Sequence, residues 1–333
     1  MNNKRSTMKD VAKLAGVTQA TVSYVINNSA NISEEVRTRV YDAIRELNYT
    51  PNYNARALKT SSSDIIGIIL PDIVNQYYSQ MAEYLENLLI QTNHHTMIYT
   101  TSYNPQYEKD IIQRLLSYDV QGIIVLYQLV DNANWNILKL SGKTIIALEG
   151  GSYCCQAGIP CIHTDGFSGG YMATKYLLDK GAQKIALIQQ TAANEELYDR
   201  FLGYAQAMKD AELYRSDDVY YIDITSNRYD EYERIGYELI QQPYDAVVTV
   251  SDLIAVGIIR QLITHGKRVP EDIRVVGYDN VPLARLFIPA LTTIARPLED
   301  ICKRIIQMMF SADAHSASSR IVFKPRLRVR ESA

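Results

Sequence analysis

Between Ser63 and Asp279, short runs of uninterrupted apolar residues alternate with stretches of helical period. IIGIIL (Ile65–Leu70), TMIYTT (Thr96–Thr101), QGIIVL (Gln121–Leu126), TIIAL (Thr144–Leu148), KIALIQ (Lys184–Gln189), VYYIDI (Val219–Ile224), AVVTV (Ala246–Val250) and IRVVGYD (Ile273–Asp279) read as strands. Helical patterns such as Tyr78–Gln91 and Gln106–Tyr118 separate them. A strand that is apolar on both faces has to be covered on both faces, as in parallel sheets joined by crossover helices. There are too many such strands for one small sheet, and they fall into two halves meeting near residue 162. The fold predicted is an α/β body of two doubly wound parallel-sheet subdomains. Ligands of such sheets sit beyond the carboxyl ends of the strands.

The first 60 residues follow a different period. Thr7 and Asp10 give the T-x-x-D start of a capped helix. Val11, Leu14 and Ala15 then recur at helical spacing and predict one apolar face. Gly16-Val17 ends this helix, and Thr18 caps a second with Thr21 in its first turn. Val22, Val25 and Ile26 share one face of the second helix; Gln19, Ala20, Ser23 and Tyr24 share the other. Ser33 opens a third, with Glu34 and Glu35 at its positive end and Val36, Val40, Ile44 and Leu47 inward. Two short helices joined by a tight glycine turn fit a helix-turn-helix, and periodicity alone also admits a purely structural bundle. Residues 1–60 carry nine Lys/Arg against five Asp/Glu, whereas the remainder carries 25 against 32. A basic head on an acidic body is the layout expected if only the head meets a polyanion.

The strings themselves decide between these readings. D-V-A-x-x-A-G-V-T-x-x-T-V-S-x-V-I-N from Asp10 to Asn27, and L-x-Y-x-P-N-x-x-A-R-x-L from Leu47 to Leu58, closely resemble the DNA-binding head of the LacI/GalR family of transcription regulators. The resemblance implies that the helix at Thr18–Ile26 enters the major groove. Thr18, Gln19, Ala20, Ser23, Tyr24 and Asn27 are then the DNA-contacting positions. A glutamine can pair bidentately with adenine, and a tyrosine hydroxyl makes one bond. Where some members carry arginine this chain has Tyr24, so the guanine contact of those members is not expected. Asn52, Ala55, Arg56 and Leu58 match the family's hinge helix, which orders on DNA and wedges a leucine into the minor groove. A free helix this short and polar is not stable by itself.

The resemblance continues through the body in IIGIILPDIVNQYYSQM, DGFSGGYMATKYLLDKG, DRFLGYAQAM, SDLIAVGII and VVGYDNVPLARLFIPALTTIARP. It implies the type I periplasmic-binding-protein-like fold, with three chain crossings between subdomains. The expected organisation is a helix-turn-helix domain over 1–50, a hinge and linker over 51–62 and a ligand-sensing domain over 63–333. Its first subdomain would take about 63–162 and 291–318, and its second about 163–290 and 319–333. Tyr77 and Tyr78 match aromatic cleft positions, Arg200 an arginine that holds polar ligand groups, and Asp279 an acid facing it across the pocket. Asp252 and Glu149 are weaker candidates. An aromatic face with planar charged groups suits a sugar, which stacks its ring and bonds its hydroxyls bidentately. NQYY stands where the family commonly has N-P-F-F/Y, and TAANEELY upstream of Arg200 has no second basic residue, which favours a neutral effector over an anionic one.

Two other function classes compete, a nucleotide-dependent enzyme and a transport solute-binding protein. Gly166-Phe167-Ser168-Gly169-Gly170 before a helix invites a phosphate reading, but it is not GxGxxG, and neither a Walker GK[ST] nor a GxSxG elbow occurs. Close helix–sheet packing is the plainer explanation. MNNKRSTMKD has no apolar leader segment and no run of about 18 apolar residues occurs, so a cytoplasmic protein without a membrane span is expected. The cysteines, Cys154, Cys155, Cys161 and Cys302, form no CxxC, and the histidines form no HExxH, so no metal site is expected. No cofactor is expected beyond a small-molecule effector, a carbohydrate. The partners expected are a near-palindromic double-stranded DNA operator and a second copy of the chain in a homodimer.

Overall fold

In a computed structural model the described residues are 6–27, 31–50, 63–191, 194–223, 225, 228–311 and 320–333. They form two units, one over Met1–Ser63 and one over Asp64–Ala333.

The head has three helices, α1 (Met8–Ala15), α2 (Gln19–Asn27) and α3 (Glu34–Glu46). Thr7 and Asp10 close a reciprocal capping box on α1, and Gly16 ends it in the left-handed region at φ 67°. Thr18 Oγ1 accepts from Thr21 N at 3.1 Å and so starts α2. Val11, Ala15, Val22, Val25 and Val40 pack into one small core, with Val36, Ile44 and Leu47 against it. Leu14 departs from the expected apolar face. It is 46% exposed, because the α1 seam closes on Val11, Ala12 and Ala15 instead.

The body alternates strand and helix: β1 (Ile65–Leu70), α4 (Gln76–Gln91), β2 (His95–Thr100), α5 (Pro105–Ser117), β3 (Gly122–Val125), α6 (Asn132–Leu140), β4 (Thr144–Leu148), α7 (Gly151–Gln156), β5 (Cys161–Thr164) and α8 (Gly166–Asp179). It continues with β6 (Ile185–Gln190), α9 (Glu195–Asp210), β7 (Val219–Ile222), α10 (Arg228–Ile240), β8 (Ala246–Thr249), α11 (Asp252–Thr264), β9 (Arg274–Asp279) and α12 (Leu283–Leu286). The last elements are β10 (Thr292–Ala295), α13 (Leu298–Met309), β11 (Arg320–Phe323) and β12 (Arg326–Arg328). The first sheet runs β11-β5-β4-β3-β1-β2 and the second β12-β10-β9-β8-β6-β7. Every pairing is parallel except β10 with β12. The central strands β1, β3, β4, β6, β8 and β9 are buried on both faces, between the clusters on either side of the first sheet and within the single cluster of the second, whereas the edge strands β2 and β7 are largely exposed or half-buried.

Two boundaries move from their expected places. The chain does not leave the second half at 291. Thr292–Ala295 forms β10 beside β9, in register from Thr292 with Val276 to Ala295 with Asp279. The departure comes at Arg296-Pro297, after which α13 packs in the core of the first half through Ile301, Cys302 and Ile305. Nor does the final return fall at 319: Arg320–Phe323 pairs with β5 in the first sheet, and the chain crosses back between β11 and β12. β5 (CIHT), β10 (TTIA), β11 (RIVF) and β12 (RLR), which the apolar runs did not mark, are three or four residues long and most are interrupted by polar or charged residues, so none makes the run that marks a buried strand.

The glycine segment 166–170 lies inside α8 and is not a loop before it. A Cβ on Gly170 would collide with the Arg200 carbonyl, and one on Gly203 with the Phe167 carbonyl. These glycines bring α8 and α9 into backbone contact, so the close packing is helix on helix. Gly169 lies under the Tyr278 ring.

Candidate effector cleft and DNA-facing helix

In the head, Thr18, Gln19, Ala20 and Tyr24 are exposed on one side of α2, while Val22 and Val25 on the other face are fully buried. Ser23 is half-buried, and Asn27 is the last residue of α2. The helix thus keeps one face for the core and leaves the other polar and accessible. Asn52, Ala55, Arg56 and Leu58 lie outside the described residues.

In the body, β1, β4, β5, β6, β8 and β9 end at the cleft, and their following residues supply its walls. Asn75 caps α4 by accepting from Tyr77 N at 3.0 Å, which sets Tyr77 and Tyr78 on the first turn. Their rings meet edge to face, with centroids 5.6 Å apart. Tyr77, Tyr78, Arg200 and Asp279 line one cavity of about 30 Å³, together with Glu196 and Arg296. That space holds a water or two and not a sugar ring. The cleft is therefore closed on its own polar side chains.

Arg200 is buried, and its Nε and Nη2 donate to Glu196 Oε1 at 2.7 and 2.5 Å. Nη1 donates to the Val250 carbonyl, and the guanidinium lies 3.5 Å from the Tyr278 ring centroid. All these partners belong to the second half. Asp279 ends β9, also in the second half, so it borders the same cavity as Arg200 but does not face it across the cleft. That placement corrects the expectation of opposite rims.

The residue that spans the cleft is Arg296, which the sequence reading did not single out. It follows β10 at the crossing between halves and is buried. Its Nη2 donates to Glu149 Oε1 at 2.6 Å and its Nε to Thr164 Oγ1 at 3.1 Å, both in the first half. It stacks on Tyr77 at 4.0 Å and approaches Asp279 Oδ1 at 3.7 Å. Glu149 also accepts from Thr164 N at 2.9 Å. Glu149 and Asp279 both adopt positive φ, 54° and 109°, at the carboxyl ends of β4 and β9. Such backbone is costly for residues other than glycine and gathers at functional sites.

Asp252 is not brought to the cavity. It is fully buried at the start of α11, where it accepts from Val281 N at 2.9 Å and from Thr293 Oγ1 at 2.5 Å. Its carboxylate ties the loop after β9 to β10, a structural task. At the rim, Ser152 N and Oγ donate to Glu195 at 2.5 to 2.9 Å, and Glu195 N donates to Gln128 Oε1 at 3.0 Å. These bonds join the first half to the N-terminus of α9.

The electrostatics follow from burial. Desolvation raises the Asp279 carboxyl above its usual range, and Arg200 and Arg296 only partly offset it. Glu196 is raised by the same desolvation against Arg200. Burial acts to raise Glu149 too, but the His163 hydrogen bond and Arg296 outweigh it and hold the group low. Two cavity atoms, Tyr77 Oη and Asp279 Oδ1, are buried with no hydrogen-bond partner. Groups of that kind are costly to leave unmade and mark places where a ligand atom or water fits.

Residues 7–52 match the family model for bacterial regulatory proteins of the lacI family, and residues 174–333 match that for a periplasmic binding protein-like domain. Over 331 residues the chain is 30% identical to the HTH-type transcriptional repressor PurR of Histophilus somni (strain 129Pt), covering 98% of each. The chain belongs to the LacI family. Catabolite control protein A of Staphylococcus epidermidis is 32% identical over 296 residues, covering 89% of this chain and 88% of that protein. Among solved structures, a transcriptional regulator CelR–cellobiose complex is 26% identical with a TM-score of 0.71, covering 99% of this chain and 100% of that one. The Lac repressor bound to ONPG in its repressed state shares the fold at TM-score 0.82 and 23% identity, covering 99% and 100%. This LacI-family chain is a DNA-binding transcription regulator, and its relatives are regulators and not enzymes, which removes the enzyme reading. No helix among the described residues is long and apolar enough to cross a membrane.

Proposed function

We propose that this regulator is a cytoplasmic homodimeric repressor whose hold on a near-palindromic operator is set by a neutral sugar bound between the two halves of its body. The observation that carries the sugar reading is the pairing state of the cleft. Both guanidinium groups already hold carboxylates, Arg200 with Glu196 and Arg296 with Glu149, so neither offers uncompensated charge to an anion. Without a hydrogen bond instead are a phenol and a carboxylate oxygen beside aromatic rings, Tyr77 Oη and Asp279 Oδ1, the latter only within ion-pair distance of Arg296, and both suit hydroxyls on a flat ring. Two solved relatives carry sugars, cellobiose in one and ribose in the other. Effector residues in this reading are Tyr77, Tyr78, Glu149, Arg200, Arg296 and Asp279. The α2 face of Thr18, Gln19, Ala20, Ser23, Tyr24 and Asn27 reads bases, and Asn52, Ala55, Arg56 and Leu58 act in the minor groove.

A thermal-shift screen against a panel of neutral and phosphorylated sugars tests this. A neutral sugar at about 100 times its Kd adds about 2.7 kcal/mol of stability. The same sugar must then change operator retention in a gel. A screen in which only phosphorylated or nucleobase compounds shift the melt would overturn the neutral-sugar reading.

A further inference from the structure

Below the cleft, on the far side of Glu149, three soft or borderline ligands converge. Cys161 and His163 are two apart on β5, so the strand period puts them on one face. Helix α7, which precedes β5, folds back and brings Cys155 over that face. The Sγ atoms of Cys155 and Cys161 and a ring nitrogen of His163 all lie within 4.8 Å of one another. His163 Nε2 stands 4.0 Å from Cys155 Sγ, and its Nδ1 faces Glu149 Oε2 at 3.5 Å. Beside them opens a cavity of about 320 Å³ lined by Ser152, Cys155, His163 and Arg320. Cys154, buried behind them, hydrogen-bonds to the Cys161 thiol and points its own toward the Ile159 carbonyl at 3.8 Å.

We propose that Cys155, Cys161 and His163 bind one thiophilic d10 metal ion, Zn²⁺ or Cu⁺, with Glu149 as the positioning residue behind His163. Bond lengths near 2.3 Å to sulfur and about 2.0 Å to nitrogen place ligand atoms of a tetrahedral ion roughly 3.5–3.8 Å apart, so separations within 4.8 Å need to contract by no more than about 1.3 Å. One histidine nitrogen faces the sulfurs while the other faces a carboxylate, the arrangement that fixes tautomer and ring orientation in metal-bound histidines. The adjoining cavity gives the ion a way in and leaves a fourth position for water. On binding, two S–H bonds break and two metal–sulfur bonds form. Both protons leave to solvent, and neither metal nor sulfur changes oxidation state. Two thiolates balance Zn²⁺, and Arg320 at the cavity rim favours their negative charge. The orienting carboxylate is the one that holds Arg296 in the cleft, so the ion would sit one residue from the effector machinery. The cluster is invisible as a spacing because C-x5-C-x-H matches no familiar ligand motif; the α7–β5 reversal creates it.

Co²⁺ titration of the reduced full-length protein, followed by Zn²⁺ displacement, tests the site. One Co²⁺ per chain is expected, with a near-ultraviolet thiolate-to-cobalt band that Zn²⁺ abolishes and with proton release on binding. Cys155→Ser and His163→Gln should each weaken binding tenfold or more, and Cys302→Ser, outside the cluster, should not. Competition with a chromophoric Cu⁺ chelator tells whether Cu⁺ or Zn²⁺ is held more tightly. Co²⁺ bound without a thiolate band, affinity unchanged in Cys155→Ser, or a Cys155–Cys161 disulfide in protein purified under reductant would each overturn the proposal.

Discussion

Arg200 and Arg296 are both buried guanidinium groups stacked on tyrosines at the same cavity, yet they serve different parts of the body. Arg200 is anchored within one half by Glu196, Val250 and Tyr278. Arg296 leaves the second sheet at its last strand and spends its hydrogen bonds on Glu149 and Thr164 of the first. One therefore builds a wall and the other bolts two walls together. Only interactions that differ between open and closed states let a ligand shift the balance between them. By that criterion Arg296 is the coupling residue and Arg200 the scaffold.

The largest effect expected is on stability. Arg200→Ala leaves the buried Glu196 without its cation, and every partner that Arg200 loses lies in its own half. Breaking a buried pair in this way costs about 3–5 kcal/mol, or roughly 10 °C in the melting temperature of a body this size. Thermal unfolding of the variant reads this directly. A loss under about 1 kcal/mol would mean that Arg200 is not the anchor of its half.

Arg296→Ala should show the opposite balance. Once the bolt is gone the cleft can open, water reaches Glu149 and Asp279, and part of the cost of unpairing them is relieved. The melt should fall less than in Arg200→Ala. Loss of two charge-assisted bonds should weaken effector binding by about 3 kcal/mol, a hundredfold or more. Calorimetry with the sugar found by screening measures it, and equal damage to stability in the two variants would erase the distinction drawn between them. Glu195→Gln probes the same closure at the rim, where Ser152 donates to an accessible carboxylate. Exposed charged contacts contribute about 0.2–1 kcal/mol, so a two- to fivefold drop in effector affinity is expected with little change in the melt.

The same contrast explains what the sequence made legible. Tyr77, Tyr78, Arg200 and Asp279 sit in strings that directly follow long apolar strands or open a patterned helix, so strand-end reasoning reached them. Arg296 follows TTIA, four residues with two threonines that do not stand out as a buried strand, and its place at a strand terminus was hidden with that strand. Asp252 misled for the converse reason. It follows an obvious strand, but α11 directs its carboxylate backward onto Val281 and Thr293, a direction no spacing reveals. Leu14 in the head is a smaller case: apolar periodicity placed it inward, while small Ala12 and Ala15 let the helices close without it.

The smallest effect expected belongs to the acid that stands between the two arginines. Asp279 faces Arg200 from α9, Arg296 from the end of β10 and Asn75 from the start of α4, with Asp252 as a neighbouring like charge. Desolvation is the largest influence and leaves the carboxyl above its ordinary value. The sign follows. A raised carboxyl contributes stability that is fully present below its unfolded value near 3.8 and is lost as pH rises through the folded one. The ionised form is thus the less comfortable one in the closed cleft, and at neutral pH the body carries that penalty. Asp279→Asn imitates the neutral acid, and asparagine tolerates the positive φ of this position. The variant should melt above the parent at pH 8, with the gap narrowing as pH is lowered toward 4.5. It should bind the sugar more weakly, since Asn carries no charge with which to hold a hydroxyl. Such an exchange of stability against function is common where a site keeps an uncomfortable group for its ligand. Parallel melts of parent and variant across that pH range decide the matter. A gap that widens toward acid would show that the arginines, and not burial, dominate at Asp279, and the acid would then join Arg296 as part of the bolt.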